Sequence, residues 1–171
     1  MNSPNALTAA ARRLKLMAFD VDGILTDGRL YYGPDGEAMK VFHTLDGHGL
    51  KMLRQAGVTL ALITGRQSAM VSRRASELGI EHVIQGREDK GVALQALAES
   101  LSLSAAQTGY AGDDLPDVAA LEWAAFSVSV PNAHPCAREA AAMVTESTGG
   151  QGAAREICDF ILQARAGADS A

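Results

Sequence analysis

Short runs that are almost wholly apolar alternate along the chain with longer stretches in which apolar positions recur every three or four residues. The short runs, bounded by turn residues, read as strands: Leu14 to Val21, Val58 to Thr64, His82 to Gln85, Thr108 to Gly112 and Ser127 to Val130. The periodic stretches predict helices over Gly47 to Gln55, Gln67 to Leu78, Asp89 to Ser100, Leu115 to Trp123, Pro135 to Ala141 and Ala153 to Ala164. The last of these carries Ile157, Phe160, Ile161 and Ala164 on one face. Strands that are apolar throughout must be covered on both sides, so the order predicts an α/β fold of three layers, a Rossmann-like parallel sheet between helices. Arg29 to His43 departs from this rhythm. Tyr31, Tyr32, Met39, Val41 and Phe42 flank the turn Gly33-Pro34-Asp35-Gly36, which predicts a β-hairpin inserted after the first strand. Ala166 to Ala171 reads as a frayed tail.

Length and charge narrow the picture. A chain of 171 residues corresponds to a single domain spanning 1–171. Its longest apolar run, Ala140 to Val144, falls far short of the ~20 residues of a membrane span. The net charge is -5 and no basic block occurs, which disfavours nucleic acid as a partner. Arg12 and Arg13 follow the mildly apolar N-terminal stretch instead of preceding it, so no secretory signal is expected and the reading is cytoplasmic. Cys136 and Cys158 are the only thiols and lack the paired spacing of a zinc site, and the four histidines (43, 48, 82 and 134) show no metal-ligand spacing either.

Ligands of open α/β sheets bind beyond the carboxyl ends of the strands, and four predicted strand ends carry polar chemistry. The first runs into Asp20-Val21-Asp22-Gly23. The second ends in Thr64-Gly65-Arg66, a hydroxyl, a glycine and a guanidinium able to hold an anion, although Thr64 as a helix cap reads equally well. Lys90 follows the third and would by itself be an ordinary solvated charge. The fourth ends in Gly112-Asp113-Asp114-Leu115-Pro116-Asp117. A helix dipole offsets only ~0.3–1 kcal/mol of the resulting repulsion, whereas a hard divalent cation such as Mg²⁺ accounts for three carboxylates in five positions.

Taken in order, strand-D-x-D, strand-T-G-R, Lys and strand-G-D-D-x-x-D resemble the four motifs of the haloacid dehalogenase superfamily of phosphohydrolases, from about Leu14 to Ala164. The resemblance is nearest to its capless sugar-phosphate phosphatases of lipopolysaccharide precursor synthesis. It is carried by Asp20 to Gly28, Asp46-Gly47-His48-Gly49, Thr64-Gly65-Arg66, Gly112 to Asp117 and Gly149 to Ala153. Gln151 and Leu45 depart from the basic residues that relatives often have there. The resemblance implies Mg²⁺ held by Asp20, the Asp22 carbonyl and Asp113, with Asp114 and Asp117 behind them. It implies Asp20 as nucleophile, Asp22 as general acid and base, Thr64 on a phosphoryl oxygen and Lys90 as a compensating charge. Gly65, Arg66, His43, Asp46 and Gly47 are the implied substrate contacts.

The spacing leaves no room for a cap, since Asp20 to Thr64 holds only the hairpin and one helix. A neighbouring subunit is therefore the expected lid, and the resembling enzymes imply a homotetramer with the hairpins at its centre and Gly149 to Gly152 as a flexible reach toward an adjacent site. The substrate expected is an eight-carbon sugar-acid phosphate. A nine-carbon sialic-acid-type 9-phosphate, a response-regulator receiver and a non-catalytic assembly module are the competing readings.

Overall fold

A computed structural model of the chain, which describes residues 4–167, contains a six-stranded parallel sheet flanked by helices. The elements run α1 (Pro4–Arg13), β1 (Leu16–Phe19), β2 (Tyr31–Gly33), β3 (Gly36–Met39), α2 (Thr44–Gln55), β4 (Thr59–Thr64), α3 (Ala69–Leu78) and β5 (His82–Gln85). They continue with α4 (Lys90–Ser100), β6 (Thr108–Ala111), α5 (Val118–Trp123), β7 (Phe126–Ser129), α6 (Pro135–Ala140), β8 (Met143–Val144) and α7 (Ala153–Ala166).

The sheet order is β5-β4-β1-β6-β7-β8, so β1 lies centrally with the chain wound first to one side and then to the other. The reversal falls between β1 and β6, the place where doubly wound sheets open a crevice at their carboxyl ends. Leu16, Met17, Ala18 and Phe19 are all fully buried between the helical layers, as an all-apolar strand requires. β6 is buried along its whole length beside it, in register from Leu16 with Thr108 to Phe19 with Ala111.

Two elements escaped the periodicity. α1, a mildly apolar stretch in the sequence with no helix predicted for it, packs Ala10 and Ala11 into the core, and the Arg12 Nε hydrogen bond to the Ala164 carbonyl (2.9 Å) ties it to α7. β8 is two residues long at the sheet edge, too short for any alternation to register. The predicted helix Leu115 to Trp123 divides into a 3-10 turn over Leu115–Asp117 and α5, because Asp114 and Asp117 cap each other across that turn. Ala166 closes α7, so the frayed tail does not begin there; its last four residues lie outside the described residues.

The hairpin is present, with Tyr32 opposite Glu37 and Gly33 opposite Gly36. Between β1 and β4 the chain holds only this hairpin and α2, and between β4 and α4 only α3 and β5, so no cap domain covers the sheet. No helix of the described residues is long and apolar enough to cross a membrane.

Gly149 and Gly150 do not form the flexible reach expected of them. Gly149 N–H donates to Asn132 Oδ1 (3.0 Å) and Gly150 N–H to the Ile24 carbonyl (2.9 Å). A Cβ at Gly149 would collide with the Gly23 carbonyl. These glycines let two backbones touch, which holds the loop after β1 in place.

Candidate active site

β1 stays hydrogen-bonded to β6 until Asp20, whose N–H donates to the Ala111 carbonyl at 2.8 Å. Beyond that point the carboxyl ends of β1, β4 and β6 and the start of α4 enclose a cavity of about 290 Å³. Asp20, Asp22, Thr64, Gly65, Arg66, Lys90, Asp113, Asp114 and Asp117 all line it, from four separate stretches of sequence.

Asp117 is the organising residue. It is fully buried, and both of its oxygens are saturated. Oδ1 accepts from the Tyr110 hydroxyl (2.6 Å) and Lys90 Nζ (2.8 Å), and Oδ2 from the backbone N–H groups of Asp113 (3.0 Å) and Asp114 (3.1 Å). Burial, with the adjoining Asp117 and Asp20 charges, pushes the Tyr110 phenol well above its usual range and keeps it a donor. Lys90, which an isolated reading leaves in solvent, is 5% exposed and bridges Asp117 to Asp20 Oδ1 (2.9 Å). Burial alone would lower its pKa, but Asp20 and Asp117 together outweigh that and raise it, so the ammonium stays charged.

Oxygens of Asp20, Asp113 and Asp117 converge within 4.8 Å of one another. One ammonium faces three carboxylates, and the imbalance appears in the proton affinities of Asp20 and Asp113. Asp20 is raised well above the ordinary carboxylate range by burial first and Asp117 second. Asp113 is pushed up to about 6 by burial and then by Asp117. With Asp117 already saturated, Asp20 and Asp113 are the oxygen donors left for a cation, and their hard, anionic character fits Mg²⁺. The turn after Asp22 can close on them because residue 23 is glycine: its φ is +98°, and a Cβ there would overlap the Asp113 carboxylate.

Thr64 is 2% exposed at the end of β4, and its Oγ1 accepts from Arg66 N–H (3.4 Å). It caps no helix, since α3 begins at Ala69 behind Ser68. Gly65 leaves room for Glu88, whose carboxylate occupies the space a side chain at position 65 would need. Arg66 donates to the Tyr32 hydroxyl at 3.1 Å, and its Nε lies 3.9 Å from Asp22 Oδ2.

The hairpin contributes a group that sequence reading missed. Lys40, its side chain 1% exposed, donates to Asp22 Oδ1 and pairs with Glu37 at 3.0 Å. The Thr26 hydroxyl reaches the same Asp22 oxygen at 3.4 Å, while Asp22 Oδ2 accepts no hydrogen bond among the described residues and faces only the Arg66 guanidinium, 3.9 Å away. The signal was present in the alternation: Met39 and Val41 are exposed, so the lysine between them points the other way, toward the site.

His43, Asp46 and Gly47 are not brought into this cavity. They border a separate crevice of about 10 Å³ with Leu25, Phe42 and Arg74. His43 caps α2 by accepting from Leu45 N–H (3.2 Å), and Asp46 Oδ1 accepts from Arg155 N–H in the first turn of α7 (2.8 Å). Gly47 makes space for the Arg74 guanidinium and Gly49 for Arg155. The Asp46-Gly47-His48-Gly49 motif thus has helix-packing and capping duties within the chain. Leu45 and Gln151 border one groove along α7, apart from the acidic cavity.

An aspartate pair leaving the central strand, a Thr-Gly-Arg turn beside it and a buried lysine tied to a second acidic strand end meet in one cavity, an arrangement suited to phosphoryl transfer. The chain's residues 82–157 match the family signature of haloacid dehalogenase-like hydrolases. Over 169 residues it is 40% identical to the 3-deoxy-D-manno-octulosonate 8-phosphate phosphatase of Salmonella typhimurium, covering 99% of this chain and 89% of that protein. The corresponding phosphatase of Moraxella catarrhalis, crystallised with a magnesium ion, a phosphate ion and a KDO molecule, superposes with a TM-score of 0.94 at 47% identity, over 98% of this chain and 97% of the other. The cobalt-bound enzyme of Haemophilus influenzae superposes at 0.89 with 39% identity, covering 92% of each chain. The chain belongs to this family, the 3-deoxy-D-manno-octulosonate 8-phosphate phosphatases of the haloacid dehalogenase superfamily. The nine-carbon alternative is not favoured by these relatives.

Proposed function

We propose that the chain is a Mg²⁺-dependent phosphomonoesterase that hydrolyses 3-deoxy-D-manno-octulosonate 8-phosphate to the free sugar acid and phosphate, a step in lipopolysaccharide precursor synthesis. The observation that carries this reading is the convergence of Asp20, Asp22, Thr64, Lys90 and Asp113 on one cavity, in a chain similar over nearly its whole length to phosphatases of that substrate.

A phosphate monoester near neutral pH carries close to two negative charges. At ~4 Å and an effective dielectric of ~20, each unit pair with an attacking carboxylate repels by about 4 kcal/mol. Lys90, 2.9 Å from Asp20, supplies one fixed compensating charge. Mg²⁺, which the carboxylates of Asp20 and Asp113 and the Asp22 backbone carbonyl would hold, supplies the remaining charge neutralisation when bound. Asp20 then attacks phosphorus, the P–O ester bond breaks, and Asp22 gives its proton to the departing sugar oxygen. In the second half Asp22 takes a proton from water as the water oxygen attacks the aspartyl-phosphate, which releases phosphate and restores the Asp20 carboxylate. Thr64 and Arg66 orient the phosphoryl group, and Asp114 and Asp117 fix the loop and Lys90 behind it.

Lys40 acts through Asp22 as a positioning residue. Lys40→Met is expected to slow turnover of the sugar phosphate by roughly 10²-fold, the usual worth of general acid catalysis. The same variant should lose far less with p-nitrophenyl phosphate, whose leaving group needs no proton. Equal losses on both substrates would refute a role of Lys40 in the proton transfer from Asp22 to the leaving group.

The exposed apolar side chains of the hairpin, Leu30, Tyr32, Met39 and Val41, support a homotetramer assembled through that face. Sedimentation of an active monomer would refute it. Phosphate release measured with the eight-carbon and nine-carbon sugar-acid phosphates side by side tests the substrate: the eight-carbon ester should turn over faster, and a reversed preference would overturn the assignment.

A further inference from the structure

At the rim of the acidic cavity, the structure brings together a second set of metal-ligating side chains that no sequence spacing announces. Asp114 follows β6, and His134 and Cys136 follow β7, the neighbouring strand. Their ligand atoms all lie within 4.8 Å of one another. His134 Nδ1 is 3.0 Å from Cys136 Sγ. The two loops are clamped by a backbone hydrogen bond from His134 N–H to the Asp113 carbonyl (2.8 Å) and another from Gly112 N–H to the Val128 carbonyl (3.1 Å), so the cluster rests on paired strand ends. Asp114 and His134 are exposed and Cys136 half-buried, so solvent reaches the cluster, in which Asp114 Oδ1 accepts from Leu115 N–H (2.8 Å) and His134 Nδ1 from Cys136 N–H (3.4 Å). Arg138, the nearest cation in sequence, is turned away to the Pro131 carbonyl (2.8 Å).

We propose that Asp114, His134 and Cys136 form a binding site for a borderline divalent ion of the Zn²⁺ type, distinct from the hard-cation site used in catalysis. One thiolate, one imidazole and one carboxylate are the donor set that tetrahedral zinc accepts, with water as fourth ligand. Binding displaces the Cys136 thiol proton to solvent and forms the sulfur–metal bond. Mg²⁺, which demands oxygen donors in octahedral array, has no reason to enter. The two sites sort divalent ions by softness at adjacent strand ends. Asp114 also lines the catalytic cavity and donates its N–H to Asp117, so an ion held here sits on the rim of the phosphatase site.

Titration of the full-length, reduced protein with Co²⁺ in saturating Mg²⁺ tests the assignment. Excess Mg²⁺ occupies the acidic cavity, and any Co²⁺ that enters it produces no sulfur signal. A sulfur-to-cobalt charge-transfer band in the near ultraviolet is expected to grow to one equivalent, to disappear on addition of Zn²⁺, and to be absent in Cys136→Ala. His134→Gln should weaken Co²⁺ binding while the thiol remains. Phosphatase activity of Cys136→Ala in Mg²⁺ alone should match that of the unaltered chain, which establishes that the variant folds. Cys158 is not a competing source, because burial raises its thiol far above the usual range. The absence of a sulfur band at saturating Co²⁺, or its persistence in Cys136→Ala, would overturn the proposal.

Discussion

Asp20→Asn is expected to reduce phosphate release by roughly 10³-fold or more, the scale of loss when a nucleophile is removed from an otherwise intact site. The substitution removes the one carboxylate that both touches Lys90 and stands beside the oxygens of Asp113 and Asp117. It should not damage the fold. Asp20 is buried, and its raised proton affinity records that the ionised form is disfavoured there by burial and by Asp117. A neutral amide of the same shape relieves that penalty, so the thermal midpoint of the metal-free variant should equal or exceed that of the unaltered chain. Steady-state turnover beside a thermal melt separates the two effects. Activity within tenfold of the unaltered chain would refute the nucleophile, whereas lost activity with a collapsed melt would trace the effect to folding.

Removing the divalent ion should abolish turnover and also expose a pH-dependent weakness that Asp113→Asn repairs. Asp113 titrates at about 6 in the folded chain against 3.8 ordinarily, so between those values the folded state binds more protons than the unfolded one. Stability of the metal-free protein therefore falls as pH rises through that window, and the penalty is fully present above about pH 6. Asp20, raised in the same direction, adds to it. The difference in thermal midpoint between metal-free Asp113→Asn and the unaltered chain should be small near pH 4 and grow toward pH 7 in favour of the variant. Mg²⁺ at about a hundred times its dissociation constant should restore ~2.7 kcal/mol to the unaltered chain, roughly 5–10 °C at this size. The variant should gain little. A midpoint difference that does not change with pH would refute the raised proton affinity of Asp113, and equal stabilisation of both proteins by Mg²⁺ would remove it from the ligand set.

The residues to which we assign the chemistry were legible because each stands at or just beyond the end of a strand. Asp20 and Asp113 terminate runs so apolar that their charge has no structural explanation, and Thr64 and Lys90 follow two further strands in the same order. Lys40 was not legible in that way. It belongs to a hairpin outside the sheet, and its pairing with Asp22 depends on how that hairpin folds over the strand ends. The Asp46-Gly47-His48-Gly49 motif has a packing role that its spacing does not show: Arg74 and Arg155 lie against its glycines, and Asp46 holds the first turn of α7.

Period and punctuation in the chain were sufficient to determine the layers, the parallel sheet, the inserted hairpin and the acidic strand ends, since local burial patterns and turn residues are encoded within a few positions of one another. The tertiary structure alone decided that Asp117 spends both oxygens on positioning while Asp20 and Asp113 face the cavity beside it, that Lys40 reaches Asp22, and that Asp114 meets His134 and Cys136. Those outcomes depend on distances between side chains far apart in sequence, and such distances exist only once strand order and the packing of loops on their ends are settled.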